Sequence, residues 1–190
     1  MDSPLGGRRI PRDSRAMDIA AIPTLSTARL ILRPHRMADF DASCALWTDP
    51  EVTRFIGGRP STTEEVWARL VRYAGHWAVF GFGFWAVEDR DGGAMIGDVG
   101  FLNARRDMTP SYADIPEMGW ALTPAAQGKG YASEAILGAL HWADAHFGQA
   151  RTWCMIHPDN TPSLRVAAKC GYVETARTTY HGAPTVVLKR

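Results

Sequence analysis

Gln127-Gly128-Lys129-Gly130-Tyr131-Ala132-Ser133-Glu134 lies between a strand-like run and a helical one, and its reading decides the fold. Upstream, residues 118–122 alternate as a strand does. Downstream, Ala132, Ala135, Ile136, Ala139, Leu140 and Ala143 recur at helical spacing, which predicts a helix over residues 131–147. A glycine loop therefore opens a helix. The first N–H groups of a helix have no internal partner and sit at the positive end of its dipole, so a loop that holds them open makes an anion cradle. Gly128 and Gly130 let a ligand come close to the backbone. A Walker loop would need four residues between its glycines and Ser or Thr after the lysine. A dinucleotide fingerprint would need a third glycine where Ser133 stands. Neither pattern fits.

Gln127-x-x-Gly130-x-Ala132 resembles instead the pyrophosphate signature of the GNAT superfamily of acetyl-coenzyme A-dependent N-acetyltransferases. The wider string Glu117-Met118-Gly119-Trp120-Ala121-Leu122-Thr123-Pro124, running on into the cradle, is similar to the RimJ/RimL branch of ribosomal-protein N-terminal acetyltransferases and their relatives. Thr27-Ala28-Arg29-Leu30-Ile31-Leu32-Arg33-Pro34 resembles the first strand of that branch. Asn160-Thr161-Pro162-Ser163 through Gly171-Tyr172 resembles its last helix and the strand after it. Three separated motifs in family order are much harder to obtain by chance than one.

Composition sets the bounds. The 190 residues suit a single domain, and 46% hydrophobic with 22% charged residues excludes a disordered chain. No apolar run approaches a membrane-spanning length. A net charge of +1 gives no global attraction to nucleic acid or an anionic membrane, so neither is expected as a partner. Cys44, Cys154 and Cys170 lie in apolar stretches without Cys-x-x-Cys spacing, which suggests free buried thiols in a cytoplasmic protein. His141 and His146 fall on different helix faces, and no metal is expected. There is no Gly-x-Ser-x-Gly elbow. Residues 1–24 are rich in Gly, Pro and charge and read as a flexible arm before a domain over residues 25–190; Met17 is an alternative start.

The chain reads as a strand at 30–32, helices at 37–47 and from about 61 to 79, and strands at 84–88, 94–102 and 115–122. A helix at 131–147, a strand at 152–156, a helix at 162–168 and strands at 172–178 and 186–189 follow. Ser61 and Thr62 with Glu64 and Glu65 mark a helix start, and Asp49-Pro50 a break followed by a loop. Pro116 cannot donate to a ladder, so its strand must begin at an edge or carry an irregularity. The order is a mixed α/β pattern. With the resemblance it implies a GNAT-like fold: one mixed, mostly antiparallel sheet of about seven strands, covered by about four helices and splayed at the cofactor site.

The resemblance implies that acetyl-coenzyme A is the cosubstrate and a primary amine the acceptor, on a protein N-terminus or a small molecule. It places the pantetheine arm against the backbone of Trp120, Ala121 and Leu122, with a free N–H near Ala121 or Leu122 for the thioester oxygen. The pyrophosphate falls to Gln127, Gly128, Lys129, Gly130, Tyr131, Ala132 and Ser133, and further contacts to Asn160 and Lys169, with Arg165 sharing the Lys169 face. Many superfamily members carry a tyrosine seven residues after the asparagine. Here that position is Ala167, and the branch's serine at Ser163 takes the role of hydrogen bonding or protonating the leaving sulfur. Alternation puts Glu117, Gly119 and Ala121 on one face, so Glu117 is a candidate base, with a carboxylate at a strand start as the plainer reading; Asp114 is a weaker competitor. Glu134 reads as an early-helix acid favoured by the dipole. The tryptophans, Trp77, Trp85 and Trp120 among them, read as packing. A monomer or homodimer is expected. The rival from another class is a coenzyme A sensor that binds without turnover.

Overall fold

The computed structural model describes residues 22–113, 115–148 and 151–190. Among the described residues, eight strands form one sheet: β1 (Leu25–Ser26), β2 (Leu30–Arg33), β3 (Phe84–Asp89), β4 (Met95–Leu102), β5 (Glu117–Leu122), β6 (Trp153–Ile156), β7 (Val173–Tyr180) and β8 (Ala183–Lys189). Their spatial order is β1-β2-β3-β4-β5-β6-β8-β7. Every neighbouring pair is antiparallel except β5 and β6, which are parallel. A parallel pair needs a crossover, and α4 (Tyr131–Phe147) supplies it. The remaining helices are α1 (Phe40–Trp47), α2 (Pro50–Thr53), α3 (Thr63–Phe80) and α5 (Thr161–Lys169).

The apolar stripe of α4 is the core stripe. Ala135, Ile136, Ala139, Leu140 and Ala143 are all buried, in one cluster with Trp85, Val99, Phe101, Met118 and Leu122 from the central strands. Trp77, Trp85 and Trp142 pack edge to face at 4.8–5.5 Å, so these tryptophans serve the core. On the opposite sheet face, Leu46 and Trp47 of α1, Val52 of α2 and Val66 of α3 close over Ala121. That face also holds Asp98 in the middle of β4. This fully buried carboxylate accepts from Trp47 Nε1 (2.8 Å) and Tyr73 Oη (3.4 Å), and His35 Nε2 lies 2.8 Å away. A buried carboxylate is tolerable only when so satisfied, and here it ties α1, α3 and the chain after β2 to the sheet.

Several expectations need correction. Asp49-Pro50 was expected to break the chain into a loop, but Asp49 caps α2: its Oδ1 accepts from Glu51 N (2.7 Å), and Pro50 takes a first-turn position where its missing N–H costs nothing. The last helix starts earlier than expected, because Asn160 Oδ1 accepts from Ser163 N (3.2 Å), which makes Asn160 the cap and Thr161 the first helical residue. The helix start near residue 61 falls at Thr62, which exchanges bonds with Glu65 in a capping box. β1 is an eighth strand too short to read by periodicity. Residues 1–21 of the expected arm lie outside the described residues. At its expected end, Ile22 is buried and Pro23 O accepts from Trp85 Nε1 (2.8 Å), so the domain takes in residues assigned to the arm.

Candidate active site

β5 is the element around which the site is built. It pairs with β4 without a register shift from Glu117↔Leu102 to Leu122↔Gly97, yet it meets β6 at one position only, Glu117↔Trp153. Trp153 N donates to Pro116 O (3.1 Å), and beyond this point the two strands part. Thr123 N donates to Ile96 O (2.9 Å), so odd-numbered β5 residues turn their N–H groups to β4. The N–H groups of Trp120 and Leu122 therefore face the gap. The expectation of a gap-facing N–H near Ala121 or Leu122 resolves to Leu122, because the Ala121 N–H belongs to the β4 side. The register is unshifted, so Glu117, Gly119 and Ala121 do share a face, and the opening owes nothing to a bulge in β5.

At the open end of the gap the cradle follows. Gln127 does not reach outward: its Nε2 donates to Leu122 O (3.0 Å) and braces the loop on the strand it left. Gly128 (φ +73°) and Gly130 (φ +81°) are left-handed, a conformation that side chains rarely adopt, and a β-carbon on Gly128 would meet open space. Gly130 caps α4, and its carbonyl accepts the first helical bond from Glu134 N (3.1 Å). The N–H groups of Tyr131, Ala132 and Ser133 are thus first-turn donors under an exposed glycine loop. These features fit an anionic phosphate group. Lys129 is exposed beside them, whereas Tyr131 and Ala132 pack their side chains on the core.

Arg29 holds this loop, a role with no signal along the chain beyond its place in the first-strand motif. Its Nη1 donates to Lys129 O (2.9 Å), its guanidinium lies 4.6 Å from the Tyr131 ring centre, and its Nε and backbone N each donate to Glu134 at 2.7 Å. Thr27 Oγ1 adds a third bond to Glu134 (2.6 Å). Burial works to raise the Glu134 carboxyl, but these donors hold it below the usual range. Glu134 is therefore a structural acid.

Across the gap, the segment after β6 turns into α5. Asp159 N donates to His157 Nδ1 (3.2 Å), and the His157 ring lies 5.3 Å from Phe55, which extends from the chain after α2. Asn160 spends its Oδ1 on the cap and keeps its amide N–H groups to donate. Ser163, in the first turn of α5, is half-buried. Arg165 and Lys169 are exposed on α5.

Glu117 does not face the gap as an open base. Its side chain is 6% exposed, and both oxygens are taken by Arg106, Nε–Oε2 and Nη2–Oε1 each at 2.6 Å. Arg106 Nη1 also donates to Tyr180 Oη (3.2 Å). Burial would lower the Arg106 pKa, but the Glu117 carboxylate more than reverses this and raises it. Both oxygens of this carboxylate are held by Arg106 in a two-point fork, an arrangement that differs from the open carboxylate expected of a base. Asp114 lies outside the described residues. Burial raises the Cys154 thiol and takes Cys170 to about 11, so both are thiols near neutral pH and poor nucleophiles. Among the described residues there is no group of three or more His, Cys, Asp or Glu placed to hold a metal, and no helix is long and apolar enough to cross a membrane.

Comparison with known proteins agrees with this geometry. Residues 29–173 match the family described as an acetyltransferase (GNAT) domain. The chain is similar to the FsC-acetyl coenzyme A-N(2)-transacetylase of Aspergillus fumigatus, 32% identical over 177 residues, covering 88% of this chain and 73% of that one. It is 28% identical to the N-acetyltransferase p20 of Bacillus licheniformis, itself uncharacterised, over 75% of this chain and 78% of that one. A GNAT-family acetyltransferase structure from Bordetella pertussis superposes with a TM-score of 0.79 at 34% identity, covering 88% of this chain and 99% of that one. A splayed parallel pair leading into a glycine-capped helix start, matched by the family description over most of the chain, makes this protein a member of the GNAT acetyltransferase family.

Proposed function

We propose that the protein is an acetyl-coenzyme A-dependent N-acetyltransferase of the RimJ/RimL type that moves acetyl directly to a primary amine. The observation that carries this is the order of parts along the chain: the strand whose Trp120 and Leu122 N–H groups face away from β4, where β6 has parted from it, leads directly into the glycine loop that opens α4. In this reading the cradle and Lys129 hold the pyrophosphate, with Lys169 and Asn160 adding contacts from α5. The pantetheine amides pair along Trp120–Leu122, and the Leu122 N–H stabilises the oxyanion, an interaction of about 2.7–4 kcal/mol where such donors have been removed elsewhere. The amine nitrogen attacks the thioester carbon, the C–S bond breaks, and Ser163 donates toward the departing sulfur. Glu117, fixed by Arg106, orients the acceptor or a water molecule, and that water takes the amine proton. The thiols of Cys154 and Cys170 are poor nucleophiles, which favours direct transfer over an acetyl-enzyme.

The test is mass-spectrometric detection of acetylated product with thiol release across a panel of protein N-termini and small amines. An amide product supports the assignment. Tight acetyl-coenzyme A binding without thiol release from any amine would identify the rival, a coenzyme A sensor on the same fold.

A further inference from the structure

The face of the sheet that carries Glu117 and Gly119 is overhung by arginines that form no ion pair with any carboxylate among the described residues. Arg69 and Arg72 lie three apart on α3. The Arg69 guanidinium stacks 3.7 Å over the Trp47 ring, and its Nε is buried without a hydrogen-bond partner among the described residues. The Arg72 guanidinium makes no hydrogen bond or ion pair with the described residues. Nearby anions are spoken for: Glu65, which also attracts Arg69, by Arg59, Glu117 by Arg106, and Asp98 by His35, Trp47 and Tyr73. Partial desolvation and then repulsion from Arg69 lower the Arg72 pKa; Tyr73 opposes them, Arg106 adds to them and Glu117 opposes them. A pair of cations left in this state favours an incoming anion.

The cosubstrate's phosphates are not that anion. The cradle belongs to α4, which packs on the opposite face of the sheet from α1 and the first half of α3; only the last turns of α3, at Trp77, reach round to it. A nucleic acid is disfavoured by the net charge of +1. What must approach Glu117 from the α3 side, on the reading proposed above, is the acceptor. We infer that the acceptor is a small amine whose other end is an oxyanion, a carboxylate or a phosphate, which Arg72 grips at the surface with Arg69 behind it. This inference rests on the acetyltransferase reading for its amine, but its anion site can be tested without turnover.

The experiment has two arms. Thiol release is measured with amino acids of increasing amine-to-carboxylate spacing, their matching amides, O-phosphoethanolamine and spermine. Calorimetry then measures binding of the same compounds to the protein saturated with coenzyme A. The expected result is at least a tenfold lower KM or Kd for an oxyanion-bearing amine than for its amide. The amino-acid and phosphoethanolamine series separate the two oxyanions. Arg72→Gln should abolish that preference by raising the constant for the acid about tenfold, a change of about 1.4 kcal/mol, while the amide's constant stays. Arg72→Lys should restore part of it. Equal use of acids, amides and spermine, or an unaltered preference in Arg72→Gln, overturns the inference. If no amine releases thiol, the acetyltransferase reading fails, and the calorimetric arm still decides the anion site: acids that bind no better than amides overturn it.

Discussion

Replacing Glu117 by Gln should destabilise the fold as well as the reaction, and the size of the loss follows from the Arg106 fork. Both Glu117 oxygens receive a guanidinium N–H at 2.6 Å, with the carboxylate side chain 6% and the arginine 22% exposed. Breaking a buried ion pair on one side costs about 3–5 kcal/mol, because the remaining charge stays desolvated. Water reaches a fifth of the Arg106 side chain, so the lower end, about 3 kcal/mol, applies. For a chain of this size that is a fall of about 6–12 °C in melting temperature. The assay is urea unfolding of the parent, Glu117→Gln, Arg106→Gln and the double variant. The double variant should be much less unstable than the sum of the singles, with a coupling of about 2 kcal/mol. Because the pair lies on the face opposite α4, acetyl-coenzyme A affinity should stay within about twofold. Additive losses, or a Glu117→Gln cost below about 0.5 kcal/mol, would refute the claim that the fork holds this carboxylate.

Gly130→Asp puts a β-carbon and a negative charge into a left-handed cap 3.5 Å from Arg29 Nη2, and calorimetry should show acetyl-coenzyme A affinity lost by at least tenfold; parental affinity would move the cradle elsewhere. Ser163→Ala should lower kcat, by about 10-fold or less because coenzyme A thiolate leaves fairly well, with little change in cosubstrate affinity; unchanged turnover would remove Ser163 from the mechanism. Acid should destabilise the fold through Asp39 and Glu134. Burial pushes both carboxyls up, but the Arg33 fork and the Arg36 N–H on Asp39, and Thr27 and Arg29 on Glu134, leave both below their ordinary values. A depressed folded pKa gives stability that is complete above the unfolded value, about 4, and is lost as pH falls through the folded one. The urea midpoint should therefore drop below about pH 4, and Asp39→Asn should flatten that drop.

Much of the site was readable because it depends on local chain order. The α4 stripe and the glycine loop before it are spacings along one segment, and the structure reproduces the helix at Tyr131–Phe147. Boundaries failed where one residue type serves two purposes: Asp49-Pro50 reads equally as a break or as a cap with its first turn, and only the Glu51 N–H contact decides. The partners of site residues were not legible at all. Arg29 and Glu134 are 105 residues apart, and Arg106 reaches Glu117 from the irregular chain between β4 and β5. No periodicity connects such positions, since they meet only when the sheet orders its strands. Arg69 and Trp47 are hidden for the same reason.

The lone rung between β5 and β6 makes the sheet two plates rather than one. Strands β1 to β5 form a continuous plate, and β6, β8 and β7 form a second, joined to the first at Glu117↔Trp153 and through the α4 crossover. Such a joint behaves as the root of a wedge: the notch can widen by small rotations of the second plate without rupturing any ladder inside either one. On the function proposed above, a long flexible arm carrying its own amides would stitch the plates together, supplying the rungs that the sheet itself omits. Amide exchange should then slow along Trp120–Leu122 and Met155–Ile156 when the notch is filled, and the mechanical stiffness of the whole sheet would be a property that the protein borrows from what it binds.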